Sequence, residues 1–312
     1  MTSPEAPDSA TRMGTYPTPL EPAPRLAGAL GLDQLWIKRD DLIGLGGGGN
    51  KVRKLEYTLG AARAQQADVV VTSGAAQSNH ARLTAAGAAR LGLRAVLVLE
   101  GREPPAATGN LLLNHLFGAE IIWAGEVRPA EMGTRVEAEA ERLRAGGERV
   151  EVIPFGGSSI LGARGYEEAG AELLRQITDL DTVVVALGSG GTMAGLVNAL
   201  GAERVLGVDV GAVDDPEAAV LRLVRGAPSL RIRRATSEYG RLTTEVRQAL
   251  QLAARTEGVV LDPVYTGRAA AGLIAAVADG SIHTGERTVL LHTGGLPGLF
   301  GHPGNSGIYA AS

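Results

Sequence analysis

Short continuous apolar runs alternate along this chain with longer stretches whose apolar residues recur every three or four positions. The short runs at 35–39, 68–72, 94–99, 120–123, 150–153, 182–186, 204–208 and 288–291 predict strands. The longer stretches at 51–63, 79–91, 110–117, 129–144, 161–176, 192–200, about 243–256 and 267–278 predict helices. Strands that are apolar on both faces and alternate with helices predict parallel sheets covered on both sides. The fold class expected is α/β, as two α/β units with a cleft between them. Residues 210–240 carry no clear pattern, and the run Arg231 to Arg234 reads as a solvated basic face. Residues 1–13, rich in Pro, Ser, Thr and Asp, read as disordered, and Tyr16-Pro17-Thr18-Pro19-Leu20 as extended chain. No repeat of solenoid period is present.

Composition narrows the function classes. The 312 residues are 45% hydrophobic, enough for a sizeable core, and the net charge is −4. That balance argues against nucleic acid and anionic membrane surfaces as partners. The chain has no cysteine, which excludes disulfides, thiolate metal sites and a cysteine nucleophile. It fits a cytoplasmic protein. The first residues lack a signal-peptide pattern, and no apolar run reaches the length of a membrane span.

Four glycines, Gly46 to Gly49, precede Asn50-Lys51-Val52-Arg53-Lys54. Such a loop allows close backbone approach to a ligand, and Asn50 reads as the N-cap of the helix that follows. A lysine at that helix entrance would have a lowered pKa and could form an imine with a carbonyl, including that of pyridoxal phosphate (PLP). The chain keeps only three lysines, Lys38, Lys51 and Lys54, among many arginines, which cannot form the imine.

Further candidate segments fall at strand ends, where ligands of parallel α/β sheets collect. Gln77-Ser78-Asn79-His80 opens a helix whose free N–H groups suit a carboxylate. Gly188-Ser189-Gly190-Gly191-Thr192 is a phosphate-type loop that matches neither a Walker A loop nor a dinucleotide fingerprint. It suggests a small phosphorylated cofactor. Asp262 to Gly267, His292 to Gly295, and Tyr239 complete the set, with Thr293 able to hydrogen-bond a pyridine nitrogen. Each segment alone also fits an ordinary capped helix or tight turn.

Together these segments resemble one family, the fold-type-II PLP enzymes of the 1-aminocyclopropane-1-carboxylate (ACC) deaminase and D-cysteine desulfhydrase group. The matching pieces are Pro17-Thr18-Pro19-Leu20-Glu21, Ile37-Lys38-Arg39-Asp40-Asp41, Gly48 to Glu56, Gln77 to His80, Gly188 to Thr192, Thr256-Glu257-Gly258 and Asp262 to Tyr265. The resemblance implies two open parallel-sheet α/β domains in a tryptophan synthase β-like PLP fold. A small domain, 54–163, would be inserted into a large one made of 1–53 and 164–312. It implies that Lys51 carries PLP and moves the α-proton, with Ser78 and Tyr265 as further catalytic groups. It implies that Asn79, Gly188, Ser189, Gly190, Gly191, Thr192 and Thr293 hold the cofactor. Gln77, Ser78, His80, Tyr239 and Tyr265 would face a small amino-acid substrate, and no metal is expected. A homodimer is the family expectation.

Three departures separate this chain from the ACC deaminase pattern. Thr266 stands where that enzyme has glutamate, His80 where it has glutamine, and Thr293 where it has leucine. All three match the desulfhydrase branch. The reaction expected is α,β-elimination on a β-substituted amino acid, D-cysteine to pyruvate, ammonia and hydrogen sulfide. The rivals are an L-cysteate sulfo-lyase, ACC deaminase proper, a phosphate binder without turnover and a nicotinamide dehydrogenase.

Overall fold

The computed structural model describes residues 10–127 and 129–308, without the side chains of 129 and 130. Ten strands are present among them: β1 (Leu20–Pro22), β2 (Leu35–Arg39), β3 (Val69–Gly74), β4 (Arg94–Leu99), β5 (Glu120–Trp123), β6 (Val150–Val152), β7 (Thr182–Leu187), β8 (Val205–Asp209), β9 (Arg231–Arg233) and β10 (Thr288–His292). The first helices are α1 (Pro24–Leu30), α2 (Lys51–Ala64), α3 (Asn79–Leu91), α4 (Gly109–Leu116), α5 (Pro129–Ala145) and α6 (Ile160–Gln176). The rest are α7 (Gly191–Leu200), α8 (Pro216–Leu221), α9 (Thr244–Glu257), α10 (Thr266–Ala278) and α11 (Leu296–Gly301).

The strands form two sheets. One has the order β5-β4-β3-β6 and is parallel throughout. The other has the order β1-β2-β10-β7-β8-β9 and is parallel except for its edge strand β1, which pairs antiparallel with β2. Central strands are buried on both faces: Val69, Val70 and Val71 in one sheet and Val183, Val184 and Val185 in the other are inaccessible to solvent. That accounts for their unbroken apolar runs.

Two expectations need correction. Residues 10–13 are ordered onto α2: Thr11 N–H donates to the Glu56 carbonyl, and Met13 and Gly14 N–H donate to Glu56 Oε1 at 2.7 and 2.8 Å. A buried carboxylate inside a helix needs such donors, and the early chain supplies them. Residues 1–9, also expected to be disordered, lie outside the described residues. The Arg231 to Arg234 run is not a solvated face, because Arg231-Ile232-Arg233 forms the half-buried edge strand β9. There Arg231 donates to Thr182 Oγ1 and the Glu203 carbonyl, and Arg233 pairs with Asp279.

Beneath the start of α2 lies a buried ionic cluster. Arg53 donates to Asp40 Oδ1 at 2.8 Å and to Glu172 Oε2 at 3.1 Å; Lys38 also donates to Glu172, and Tyr166 to Asp40. Two cations balance two anions, and the cluster ties β2, the turn after it, α2 and α6 together. Burial alone would raise both carboxyl pKa values, but Arg53 together with Lys38 and, at Asp40, the Tyr166 hydroxyl outweighs it and holds both low.

Candidate active site

The glycine loop, the two strand-end turns and the α3 entrance surround one cavity, lined by Lys51, Ser78, Asn79, His80, Gly188, Ser189, Gly190, Thr192, Tyr265 and Thr293 among others. Close backbone approach builds it. Gly49 has φ of +128°, and a Cβ there would lie 3.1 Å from the Thr293 carbonyl oxygen. That carbonyl accepts from Asn50 N–H at 3.0 Å, so the end of β10 sits directly against the start of α2. Gly190 has φ of +90°, and a Cβ there would lie 2.8 Å from the Ala219 carbonyl oxygen. Both turns therefore require glycine.

Asn50 is not the side-chain cap expected. Its backbone is already helical and its amide Nδ2 instead donates to Thr192 Oγ1 at 3.0 Å. The residue thus joins the two glycine segments across the cavity. Ser78 does cap α3, accepting from Ala81 N–H at 3.1 Å.

The electrostatics of Lys51 follow from burial, which lowers its pKa to about 8, while a hydrogen bond with Lys54 opposes the shift. Lys54 is fully buried and lowered much further, by burial first and then by the charge of Lys51. Its Nζ donates to Ser158 Oγ at 2.9 Å. Ser158 Oγ also lies 2.8 Å from Ser189 Oγ and accepts from Gly191 N–H. No carboxylate is among the groups acting on either lysine. Two amines buried together without a counter-ion, beside a helix N-terminus, fit an anion such as a phosphate.

Asn79 fits the other end of an aromatic cofactor. Its Oδ1 accepts from Arg82 Nη1 at 3.1 Å and from Asn110 Nδ2 at 3.0 Å. Those two donors fix the amide, leaving Nδ2 as a donor for a phenolic oxygen. Arg82, itself inaccessible, also donates to the Gly48 carbonyl at 2.6 Å and so braces the glycine loop.

Beyond this cavity opens a cleft of about 660 Å³, sharing Ser78, Phe155, Ala212 and Tyr265 with it and adding Tyr239. The hydroxyls of Tyr239 and Tyr265 lie 2.7 Å apart, with the rings edge to face at 71°. Asp262 shapes the Tyr265 turn by accepting from the N–H groups of Val264, Tyr265 and Thr266. Gln77 is placed elsewhere: its Oε1 accepts from Asn110 N–H and its Nε2 donates to the Thr108 carbonyl. The side chain thus faces the α4 entrance and lines neither cavity.

Arg82 had no place in the sequence reading of the site, and Lys54 was noted there without a role in it. For Lys54 a signal existed, since it is one of three lysines and lies one helical turn from Lys51.

A buried amine of lowered pKa, a second buried lysine without a carboxylate partner at a glycine loop, and an oriented amide donor fit a phosphorylated aldehyde of pyridine type. The chain belongs to the pyridoxal-phosphate dependent enzyme family, whose profile matches residues 11–294, and within it to the ACC deaminase and D-cysteine desulfhydrase group; its cofactor is PLP. A Pyrococcus horikoshii protein named putative 1-aminocyclopropane-1-carboxylate deaminase is 40% identical over 301 residues, covering 91% of each chain. The D-cysteine desulfhydrase of Salmonella schwarzengrund is 40% identical over 314 residues, covering 92% of this chain and 94% of its own. The crystal structure of an ACC deaminase homologue superposes with a TM-score of 0.86 at 37% identity, covering 96% of this chain and 95% of that one. Threonine deaminase isoform 2 from Solanum lycopersicum shares the fold, with a TM-score of 0.67 at 20% identity over 90% of this chain and 80% of its own. The chain is thus a PLP-dependent lyase or deaminase of this group.

Proposed function

We propose that this protein is an α,β-eliminating carbon–sulfur lyase that converts D-cysteine to pyruvate, ammonia and hydrogen sulfide. The observation that carries the reading is the cavity lining: the described residues there include the Thr293 hydroxyl after β10 and no carboxylate. PLP, when bound, supplies the electron sink for the carbanion, and a sink without a carboxylate partner suits departure of a good leaving group from Cβ.

The chain's own groups have distinct tasks. The Lys51 amine takes the α-proton, and its lowered pKa leaves a useful neutral fraction near neutrality. Ser78 and the α3 entrance receive the substrate carboxylate, with the Ser78 hydroxyl beside the transferred proton. Tyr239 and Tyr265 close the outer wall against water. Asn79, Lys54, Ser158 and the Gly188 to Thr192 loop hold the cofactor's hydroxyl and phosphate.

The charged residues described along the outer cleft are Glu100, Glu137 and Asp214, all acidic. A second anion on the substrate would face them, which favours cysteine over cysteate. The same reading takes 54–163 as a small domain inserted into a large one of 1–53 and 164–312, supported by a separate four-stranded sheet within 69–152. It also takes the protein as a cytoplasmic homodimer. Leu112 and Leu116 on α4 and Phe300 on α11, exposed on neighbouring helices, support a self-association face.

Purified protein should be yellow, and borohydride should trap PLP on Lys51. Lys51→Ala should abolish both the trapping and turnover. A panel of D-cysteine, L-cysteine, L-cysteate, D-serine and ACC, scored for keto acid and sulfide, decides the substrate. Preference for cysteate or robust turnover of ACC would overturn the assignment.

A further inference from the structure

His80 has one ring nitrogen engaged and one free. It sits on the first turn of α3, 3% exposed, with Nε2 at 2.8 Å from Thr72 Oγ1 on β3. The single hydroxyl proton of Thr72 is already given to the Ile153 carbonyl at 2.8 Å. Thr72 Oγ1 can therefore only accept from the ring, and Nε2 must carry the proton. The opposite tautomer would bury an N–H without an acceptor and rob Ile153 of its donor. The imidazolium is excluded by burial first, and then by Lys51 and Lys54, the charged groups that face it from α2. The loop packed over the ring presents only backbone there: a Cβ on Gly157 would lie 3.7 Å from Nδ1.

Among the described residues that line this cavity, His80 is the one with a buried, unpartnered side-chain polar atom, its Nδ1. Lys51 needs an acceptor when it is released from the cofactor and protonated. Lys54 cannot serve then, because a phosphate in the glycine loop keeps it an ammonium. Ser158 already accepts from Lys54.

We infer that His80, fixed as its Nε2–H tautomer, presents Nδ1 as the hydrogen-bond acceptor that holds the Lys51 ammonium between taking the α-proton and giving it up. The proton stays on Lys51 throughout, and His80 is a positioning residue. The inference rests on the lyase reading only in naming the α-proton as the one carried.

The test uses the full chain loaded with pyridoxamine 5′-phosphate, which fills the site and leaves Lys51 free. Labelling the lysine Cε carbons gives a sparse spectrum, since the chain has three lysines. In it the Lys51 ammonium-to-amine midpoint can be followed. His80→Asn keeps a polar group where Nδ1 stood, whereas His80→Gln keeps a donor to Thr72 but loses the Nδ1 acceptor. The midpoint should match the unmodified protein in His80→Asn and fall by about half a pH unit or more, about threefold in the ionisation constant, in His80→Gln. Imidazole nitrogen shifts should report the proton on Nε2. A proton on Nδ1, an unchanged midpoint in His80→Gln, or an equal fall in both variants would each overturn the inference. Absence of elimination on every amino acid tried, with these shifts intact, would instead indict the lyase reading.

Discussion

Lys51 and Thr266 carry the predictions at the scale of single residues. Lys51 is lowered to about 8 by burial, so its amine becomes the major form as pH rises through that value. Capture of added PLP by cofactor-free protein should speed up through about pH 8 and then level off, measured by the appearance of the visible band. The sign for stability is the same: the unfolded chain holds that proton up to about pH 10.4, so this group's contribution to stability rises with pH between the two values. Thr266 shows why a subfamily cannot be switched one residue at a time. Its hydroxyl donates to Asp262 Oδ1 at 2.7 Å and accepts from Asp262 N–H at 2.7 Å, locking the turn that carries Tyr265. Thr266→Glu would set a second carboxylate against Asp262 inside the protein. The double variant Thr266→Glu with Thr293→Leu should therefore gain no useful ACC turnover and lose stability; efficient ketobutyrate formation from ACC would contradict this.

At the scale of elements, two arginines do what glycine turns alone cannot. Arg268, on the first turn of α10, donates to the carbonyls of Val210, Ser237, Glu238 and Arg241. It thereby pins the loop of Tyr239 to the helix that begins beside Tyr265. Arg268→Met should raise KM by about tenfold, the loss of one charged hydrogen bond's worth of order, with kcat changed less. Arg53 anchors the start of α2 through Asp40 and Glu172, both held low against burial by it together with Lys38. Glu172→Gln should cost about 3–5 kcal/mol in urea unfolding at pH 7. Because these carboxyls have lowered folded values, their contribution is complete above about pH 4.3, the ordinary value for a glutamate, and disappears as pH falls through the folded values. The gap between variant and unmodified protein should accordingly narrow in acid. This cluster was illegible in the sequence, where Lys38, Asp40, Arg53 and Glu172 carry no periodic signature and meet only through the fold. The strands and helices were legible to within a residue or two, as at Arg94–Leu99, since apolar runs buried on both faces need no tertiary knowledge. Short edge elements were not: β1, β9 and α8 are too brief to show a period. Lys51, Asn79 and the Gly188 to Thr192 loop could be read because they sit at strand ends and helix starts. Gln77 lies apart from the expected set because its neighbours reach the cavity while its own side chain turns to α4.

At the scale of the whole molecule, the cavity around Lys51 lies where the two sheets meet. Ser78, Asn79 and His80 follow β3 of the four-stranded sheet, while Gly188 to Thr192, Tyr265 and Thr293 belong to the six-stranded one. The two buried lysines carry their charge problem at this junction, with no carboxylate acting on them. On the proposed placement, a bound phosphate would relieve that repulsion and at the same time bridge the sheets. Ligand that binds only the folded state at about a hundred times its dissociation constant adds about 2.7 kcal/mol. PLP should therefore raise the unfolding midpoint even in Lys51→Ala, where no covalent bond can form. Replacing Lys54 by methionine should remove much of that gain while leaving the cofactor-free protein at least as stable, because a buried amine has gone. Hydrogen exchange should then slow on PLP addition at the α3 entrance and at 188–192, and stay unchanged in the centres of β3 and β7. A uniform slowing across both sheets, or none at either turn, would mean that the cofactor does not bridge them.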